Sequence, residues 1–493
     1  MSTSTDSPKS KALEIETNGL NPIDESERKG RPANLFWPWF AANVSIFGIS
    51  YGAFLLDFGI SFWQATIVAI IGIVVSFLLC GFVSLAGKRG SAPTLTLSRA
   101  PFGIDGNRLP SAIAWIITVG WETVLASLAV LATSTVISAL GVERSPVIDV
   151  IALIIVVGLI LAGGIYGFDM IMRMQLVITI VTAVLTVVYI VLVLPQIDFQ
   201  SVLGIPDGSL PQVIGGLVFM MTGFGLGWVQ AAADYSRYLP RSSSSPGVVG
   251  WTTGGAALAP IILVIFGLLL AGSSEDLRGA IGADPIGALS TILPVWFLIP
   301  FAIVAVLGLI GGAILDIYSS GLALLSTGLR VPRWVAAAID GVLMIIGTIY
   351  IVFIATDFIG PFQAFLITLG VPIAAWCGIF LGDLTLRKAP YSDRDLFDRR
   401  GRYGSVNWLS IGTLIVATFL GWGLVYNAFG PEWVQWQGYL LDVFGLGGRE
   451  GVWGGANLGV LVALVIGYLV VVLFGRGAVR RQEEAPILES ERV

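Results

Sequence analysis

Two carboxylates stand alone in long apolar stretches: Glu122 in Gly120-Trp-Glu-Thr-Val-Leu125, and Asp316 in Gly311-Gly-Ala-Ile-Leu-Asp-Ile-Tyr-Ser-Ser-Gly321. An ionised carboxylate near the middle of a membrane helix costs several kcal/mol, so such a group is paired, protonated or lines a cavity. For Glu122 two readings stand, a transport role or a structural hydrogen bond to a neighbouring helix. Asp316 sits among glycines and hydroxyls on a crowded polar helix face, which favours a functional role. Asp57 and Asp169 fall near the ends of apolar segments, where water satisfies them, and Asp340 reads as a bond across to another helix. Trp121 points about 100° away from Glu122 around a helix, so packing and ligand stacking are both open to it. The chain contains no histidine. Imidazole metal sites and imidazole acid–base work are therefore excluded, and a proton relay would have to use carboxylates.

A third feature is Gly223-Phe-Gly-Leu-Gly-Trp228, which runs into Val229-Gln-Ala-Ala-Ala-Asp-Tyr-Ser-Arg-Tyr-Leu-Pro240. Alternate glycines are poor helix formers inside a segment that otherwise reads as a membrane span. An interrupted span is tolerated only where the freed backbone meets protein, water or a ligand. Bare backbone at Gly225 and Gly227 beside the flat rings of Phe224 and Trp228 suits a small planar molecule. The competing reading is a glycine-packed helix contact with outward aromatics. Asp234 and Arg237, three residues apart, can share a helix face as a gate or an anchoring ion pair; an interfacial belt of Tyr and Arg fits the same residues.

These residues need a membrane scaffold to position them, and the composition supplies one. Of 493 residues 56% are hydrophobic and 12% charged, with mean hydropathy +0.87; a soluble domain carries about 25% charged residues. Twelve apolar segments follow a polar leader, at about 35–56, 62–86, 109–139, 148–166, 170–195, 211–233, 250–271, 294–327, 333–356, 358–383, 405–427 and 452–475. Of the 27 Lys and Arg residues, all but Arg144, Arg278 and Arg449 fall on the side of the N-terminus when these segments are threaded alternately. That asymmetry places both termini in the cytoplasm. Cys80 and Cys377 lie in apolar segments, so a disulfide scaffold is excluded.

The first and sixth segments are both irregular, the third and eighth each carry one carboxylate, and an offset of five inverts the second set relative to the first. This is the pattern of an inverted-repeat transporter with a midplane site. The expected division is a cytoplasmic tail (1–34), a first five-helix repeat (35–195), a second inverted repeat (196–383), two peripheral helices (384–475) and a C-terminal tail (476–493).

Several stretches together resemble the nucleobase:cation symporter-1 family of cytosine/purine permeases and hydantoin transporters. They are Trp39-Phe-Ala-Ala-Asn43, Ser98-Arg-Ala-Pro-Phe-Gly103 with Gly106, Gly120-Trp121, Gly225-Leu-Gly-Trp228 through Asp234-Tyr-Ser-Arg237, Ile317-Tyr-Ser-Ser-Gly321, and Leu381-Gly-Asp383 with Asn407-Trp408. The resemblance implies an all-α LeuT-like fold of twelve transmembrane helices, five plus five inverted and two peripheral. It implies a flat heterocycle held between Trp121 and Phe224, or Trp228 if the break lies later, with backbone groups from Gly225 and Gly227 and a contribution from Asn43 and Ser45. An asparagine of the family falls where this chain has Asp316. A carboxylate accepts from the amino and ring N–H pair of a cytosine or adenine, whereas a carbonyl-rich ring fits it less well. Two hydroxyl residues found before that asparagine in sodium-coupled relatives are replaced here by Ile310 and Gly311.

The expectation is a secondary-active nucleobase importer of the plasma membrane working by alternating access. Coupling is to H+ rather than Na+, through Asp316 or Glu122. The same family also offers allantoin and hydantoin as substrates, and the same architecture carries amino acids and amines. No nucleotide-binding loop or catalytic dyad is present, which speaks against an enzyme or an ATP-driven pump. Neither a cofactor nor a nucleic-acid partner is expected, and the partners are the heterocycle and membrane lipid.

Overall fold

The structure is a computed structural model. It describes residues 20–485 apart from 144, 166–167, 330 and 429. The outer parts of both expected tails, Arg144 and Arg330 lie outside the described residues, as do the side chains of Asp169, Arg173 and Arg333.

Every regular element among the described residues is helical. The first apolar segment is two helices, α1 (Phe36–Asn43) and α2 (Phe47–Leu56), which meet at 68°. The helix stops at Val44 (φ −83°, ψ 88°). It restarts where the Ser45 hydroxyl accepts the Phe47 N–H at 3.4 Å, as a serine cap does. Next come α3 (Phe62–Gly90), α4 (Arg108–Ala139), α5 (Pro146–Ile165) and α6 (Phe168–Val193). Reciprocal Ser61/Gln64 bonds start α3, and Ser91 in the left-handed region (φ 54°) ends it.

The sixth segment opens with the same device, Ser209/Gln212, followed by Pro211 in the first turn of α7 (Leu210–Gly223). It breaks at Phe224 and continues in short turns to Ser236. Beyond it lie α8 (Ser245–Ser273), α9 (Val295–Ser326), α10 (Arg333–Ile349) with a π-turn over Tyr350–Ile354, and α11 (Ile359–Leu386). α12 (Trp408–Trp422), α13 (Gly459–Phe474) and α14 (Arg476–Glu484) complete the chain.

Nine of the described helices are long and apolar enough to cross a membrane, and counting each bent pair as one span gives up to 11. The expected count of twelve is not reached. The helix at the eleventh segment, α12, has 15 residues, short of the ~20 that a bilayer core requires.

Packing follows the inverted pattern. The second span packs on the seventh (α3 on α8) and the third on the eighth (α4 on α9), while α12 and α13 pack on α11. Helices approach closely where side chains vanish: a Cβ at Gly52 or Gly267 would overlap the other helix's backbone.

Two regions read as polar connections are tightly held. Arg28 is buried, its guanidinium donating to the carbonyls of Leu239 (2.9 Å) and Lys88 (2.6 Å) and to the Ser91 hydroxyl. Residues around it therefore seal one end of the bundle where the sequence suggests a free tail. The loop after α11 is fixed by Arg387, which makes two 2.8 Å bonds to Asp383 and one of 2.6 Å to Gln482, with its charge over Tyr391 and Tyr403.

Candidate functional site

A cavity of about 80 Å³ lies where the breaks in the first and sixth spans face α4, α6 and α9. A water needs only ~10–15 Å³ by this kind of measure, so the space admits several waters or one small ring. Asn43 and Ser45 line it at the first break, Phe224 and Trp228 at the second, Trp121 from α4 and Asp316 from α9. These six expected residues come from four distant stretches of sequence.

Each is positioned by local packing. The Trp121 ring is held edge-on by Phe362 and Phe365, both at 5.8 Å between centroids. Phe224 lies 4.6 Å from Tyr51, and the Tyr51 hydroxyl donates to the Gly223 carbonyl at 3.1 Å, satisfying backbone freed by the break. The side-chain N–H of Asn43 is committed to the Trp39 carbonyl at 2.9 Å. Asp316 is 3% exposed, and among the described residues no hydrogen bond reaches its carboxylate. Two further hydroxyls on the wall, Thr179 and Thr182 of α6, are buried without a partner among the described residues.

The two glycines take other roles. The Gly225 N–H donates to the Ser76 hydroxyl, and its carbonyl accepts from Cys80, both at 3.1 Å. A Cβ there would overlap the Ser76 backbone. Gly225 thus serves contact with α3 and does not line the cavity. The Gly227 N–H is bound by the Phe224 carbonyl (3.0 Å) and its own carbonyl by Gln230 (2.6 Å). Its missing side chain makes room for the Trp121 indole, 2.8 Å from where a Cβ would stand.

Glu122 also lies off the cavity. It is fully buried about 100° around α4 from Trp121, and among the described residues neither of its oxygens has a hydrogen-bond partner. Asp340 bonds across to two helices, accepting from Trp115 (2.6 Å) and Ser320 (2.8 Å).

At the far end of the sixth span, Asp234 accepts from both the backbone N–H and the hydroxyl of Thr94, each at 2.8 Å. Arg237 is fully buried and reaches the Tyr238 hydroxyl at 3.0 Å. The Asp234 carboxylate therefore ties this span to the turn after α3. On the opposite side, Asp57 and Arg278 approach to 3.4 Å. Partial desolvation by the surrounding helix ends lifts the Asp57 carboxyl to about 6 against the pull of that guanidinium, although 44% of its side-chain surface stays exposed.

Other motif residues build scaffold. The Ser98 hydroxyl accepts from the buried Trp376 indole (2.9 Å), Arg99 donates to the Leu396 carbonyl (3.0 Å), and Asn407 caps α12 while donating to the Pro101 carbonyl (2.8 Å). Among the described residues, no group of three or more acidic or cysteine side chains is placed to hold a metal ion.

The chain is similar in sequence to a putative purine-cytosine permease of Bacillus subtilis, 25% identical over 476 residues that cover 93% of this chain and 96% of the relative. A purine-cytosine permease of Saccharomyces cerevisiae is 26% identical over 52% of this chain and 48% of the relative. In architecture it matches the nucleobase-cation-symport-1 family transporter Mhp1, closed with bromovinylhydantoin bound. The TM-score is 0.69 at 18% identity, over 95% of this chain and 96% of that one. The inward-facing conformation of Mhp1 gives 0.67 at 20% identity, over 94% and 95%. The fold is thus that of an inverted-repeat transporter. The protein is a multi-pass membrane transporter and not an enzyme. A family model described as permease for cytosine/purines, uracil, thiamine and allantoin matches residues 22–441, and the chain belongs to that family.

Proposed function

We propose that the protein is a secondary-active importer of a nucleobase of the cytosine/purine type, seated in the plasma membrane with both termini cytoplasmic and coupled to protons. The observation that carries this reading is the open Asp316 carboxylate in the wall of a small cavity that also exposes Trp121 and Phe224. Aromatic faces supply affinity for any flat ring. A carboxylate with no partner of its own selects a ring that presents an amino group beside an N–H.

Alternating access places the substrate between the two repeats, 35–195 and 196–383, with Asp234 and Arg237 closing the N-terminal side and α12 and α13 outside the moving core. Proton coupling is favoured over sodium because Ile310 and Gly311, which stand where the resemblance puts a pair of hydroxyl residues in sodium-coupled relatives, offer no side-chain oxygen. An amino-acid carrier would need a cation for the substrate carboxylate, and among the described residues no Lys or Arg lines the cavity. Within the family, allantoin or a hydantoin is the second reading; the free hydroxyls of Thr179 and Thr182 are donors suited to ring carbonyls.

The test is thermal stabilisation of the solubilised protein with cytosine, adenine, hypoxanthine, uracil, allantoin and hydantoin, with and without sodium. A ligand at 100 times its Kd adds about 2.7 kcal/mol. Sodium-independent stabilisation by the amino-bearing bases is expected. Stabilisation by hydantoin or allantoin only with sodium present would transfer the protein to the second reading.

A further inference from the structure

We infer that Glu122, Ser320 and Asp340 form a proton-binding site set apart from the substrate cavity, in which one proton is held between carboxyl groups of the third and ninth spans. The inference rests on the proton-coupled reading above for its role in transport, but the site itself stands on geometry.

Three helices meet there: α4 supplies Glu122 and Trp115, α9 supplies Ser320, and α10 supplies Asp340. The two carboxyl groups are treated unequally. Asp340 receives two donors, the Trp115 indole N–H at 2.6 Å on one oxygen and the Ser320 hydroxyl at 2.8 Å on the other. Among the described residues Glu122 receives none, although it is completely buried. A carboxylate taken from water with neither oxygen partnered is costly, whereas a carboxylic acid in the same place is neutral and needs only an acceptor. Ser320, which faces Glu122, has the Asp340 carboxylate (2.8 Å) as its nearer acceptor and the Ile317 carbonyl (3.1 Å) as the farther one, and its oxygen keeps a lone pair for Glu122. The arrangement that satisfies all three groups is therefore an acid at Glu122, donating to Ser320, which donates to a carboxylate at Asp340.

Transfer needs no other reactant. As the Glu122 O–H bond breaks and its proton passes to the Ser320 oxygen, the serine proton passes to Asp340. One proton moves and the serine is restored.

The ionisable neighbours of Glu122 are Asp340 from α10 and Asp316 from α9, both acidic. Two other acids reach α4 only near its far end, Asp149 at Ser134 and Asp284 at Thr135. The site is also joined to the cavity. Glu122 follows Trp121 in sequence, and Ser320 lies one turn beyond Asp316 on α9. Loading or emptying the site changes the bonding along the seam between α4 and α9 that carries two cavity walls.

The experiment is infrared difference spectroscopy of the purified full chain, followed by flux in proteoliposomes. The substrate-free protein at neutral pH is expected to show the C=O stretch of a buried protonated carboxyl, lost in Glu122→Gln and kept in Asp316→Asn. Ser320→Ala removes the acceptor and is expected to shift that band without abolishing it. Asp340→Asn provides a second test should Glu122→Gln fail to fold: uptake of labelled cytosine driven by a pH gradient is expected to fall to no accumulation, with exchange of labelled for unlabelled base still measurable.

A band that survives Glu122→Gln, or that only Asp316→Asn removes, overturns the site. A band lost in Glu122→Gln in a protein that binds none of the heterocycles keeps the site and overturns the substrate reading instead. Binding of heterocycles with no protonated carboxyl does the reverse.

Discussion

Replacing Asp316 by Asn tests the substrate argument with the least disturbance. Nothing in the described protein hydrogen-bonds the carboxylate, so the amide breaks no internal network and changes the side-chain volume little. What changes is the pattern shown to the ligand: two acceptor oxygens become one acceptor and one NH2 donor. A ring that presents an amino group beside an N–H then loses one charge-assisted bond and meets a donor in its place. Hydrogen bonds to a charged group contribute about 1.5–3 kcal/mol, which at about 1.4 kcal/mol per decade corresponds to roughly 10- to 150-fold weaker binding of cytosine or adenine. A ring that presents a carbonyl beside an N–H, as uracil does, finds its complement in the amide and binds no worse or better. Titration calorimetry of both ligand classes against both proteins measures the ratio directly. Equal losses for both classes, or unchanged affinity for cytosine and adenine, would refute the placement of Asp316 against the ring edge.

Three further outcomes follow from packing and charge. Asp383→Ala strands the buried Arg387 guanidinium and is expected to remove about 3–5 kcal/mol, seen as a large drop in the thermal midpoint; replacing Arg387 by Leu as well should restore part of it. Gly225→Ala drives a methyl group into the Ser76 backbone and should cost about 1–3 kcal/mol, whereas Gly250→Ala, on the exposed face of α8 with nothing within 4 Å, should stabilise by about 0.4–1 kcal/mol in the same melting experiment. Asp57 holds its proton more tightly in the folded state, near 6, than the ordinary carboxyl at 3.8. The folded state therefore gains stability as pH falls through about 6 and loses it as pH rises through that value. Wild type should gain on Asp57→Asn between pH 7 and pH 5, and parallel melting curves at both pH values would contradict the assignment.

The scaffold was legible because membranes impose it: long apolar runs, basic residues on one side, and irregular first and sixth spans announce an inverted-repeat transporter. The convergence of Trp121, Phe224 and Asp316 followed from span order and the resemblance. The wall hydroxyls were not legible. Thr123, Thr133 and Thr222 bond to carbonyls of their own helices, while Thr179 and Thr182 face space without a partner, and a threonine in an apolar run has the same appearance in either case. Tyr51 was hidden for a similar reason, as one more aromatic in an apolar stretch, although its hydroxyl is what satisfies Gly223 at the break. The burial of Arg28 was equally hidden, since, Glu25 apart, its partners are backbone carbonyls and a serine at least sixty residues away.

The glycines show how one pattern serves two ends. Alternation over 223–227 breaks the helix, and this is what brings Phe224 to the cavity. Yet the Gly225 backbone that the break exposes is taken up by Ser76 and Cys80 of α3. Among the described residues of the cavity wall, the polar groups left without a partner include the Asp316 carboxylate and the two threonine hydroxyls, whereas the backbone at Gly225 is committed to α3. Helix geometry, and not unspent atoms, separates Trp121 from Glu122, whose oxygens are also without a partner among the described residues. Adjacent residues on a helix diverge by about 100°, so one faces the cavity and the other turns toward α9 and α10.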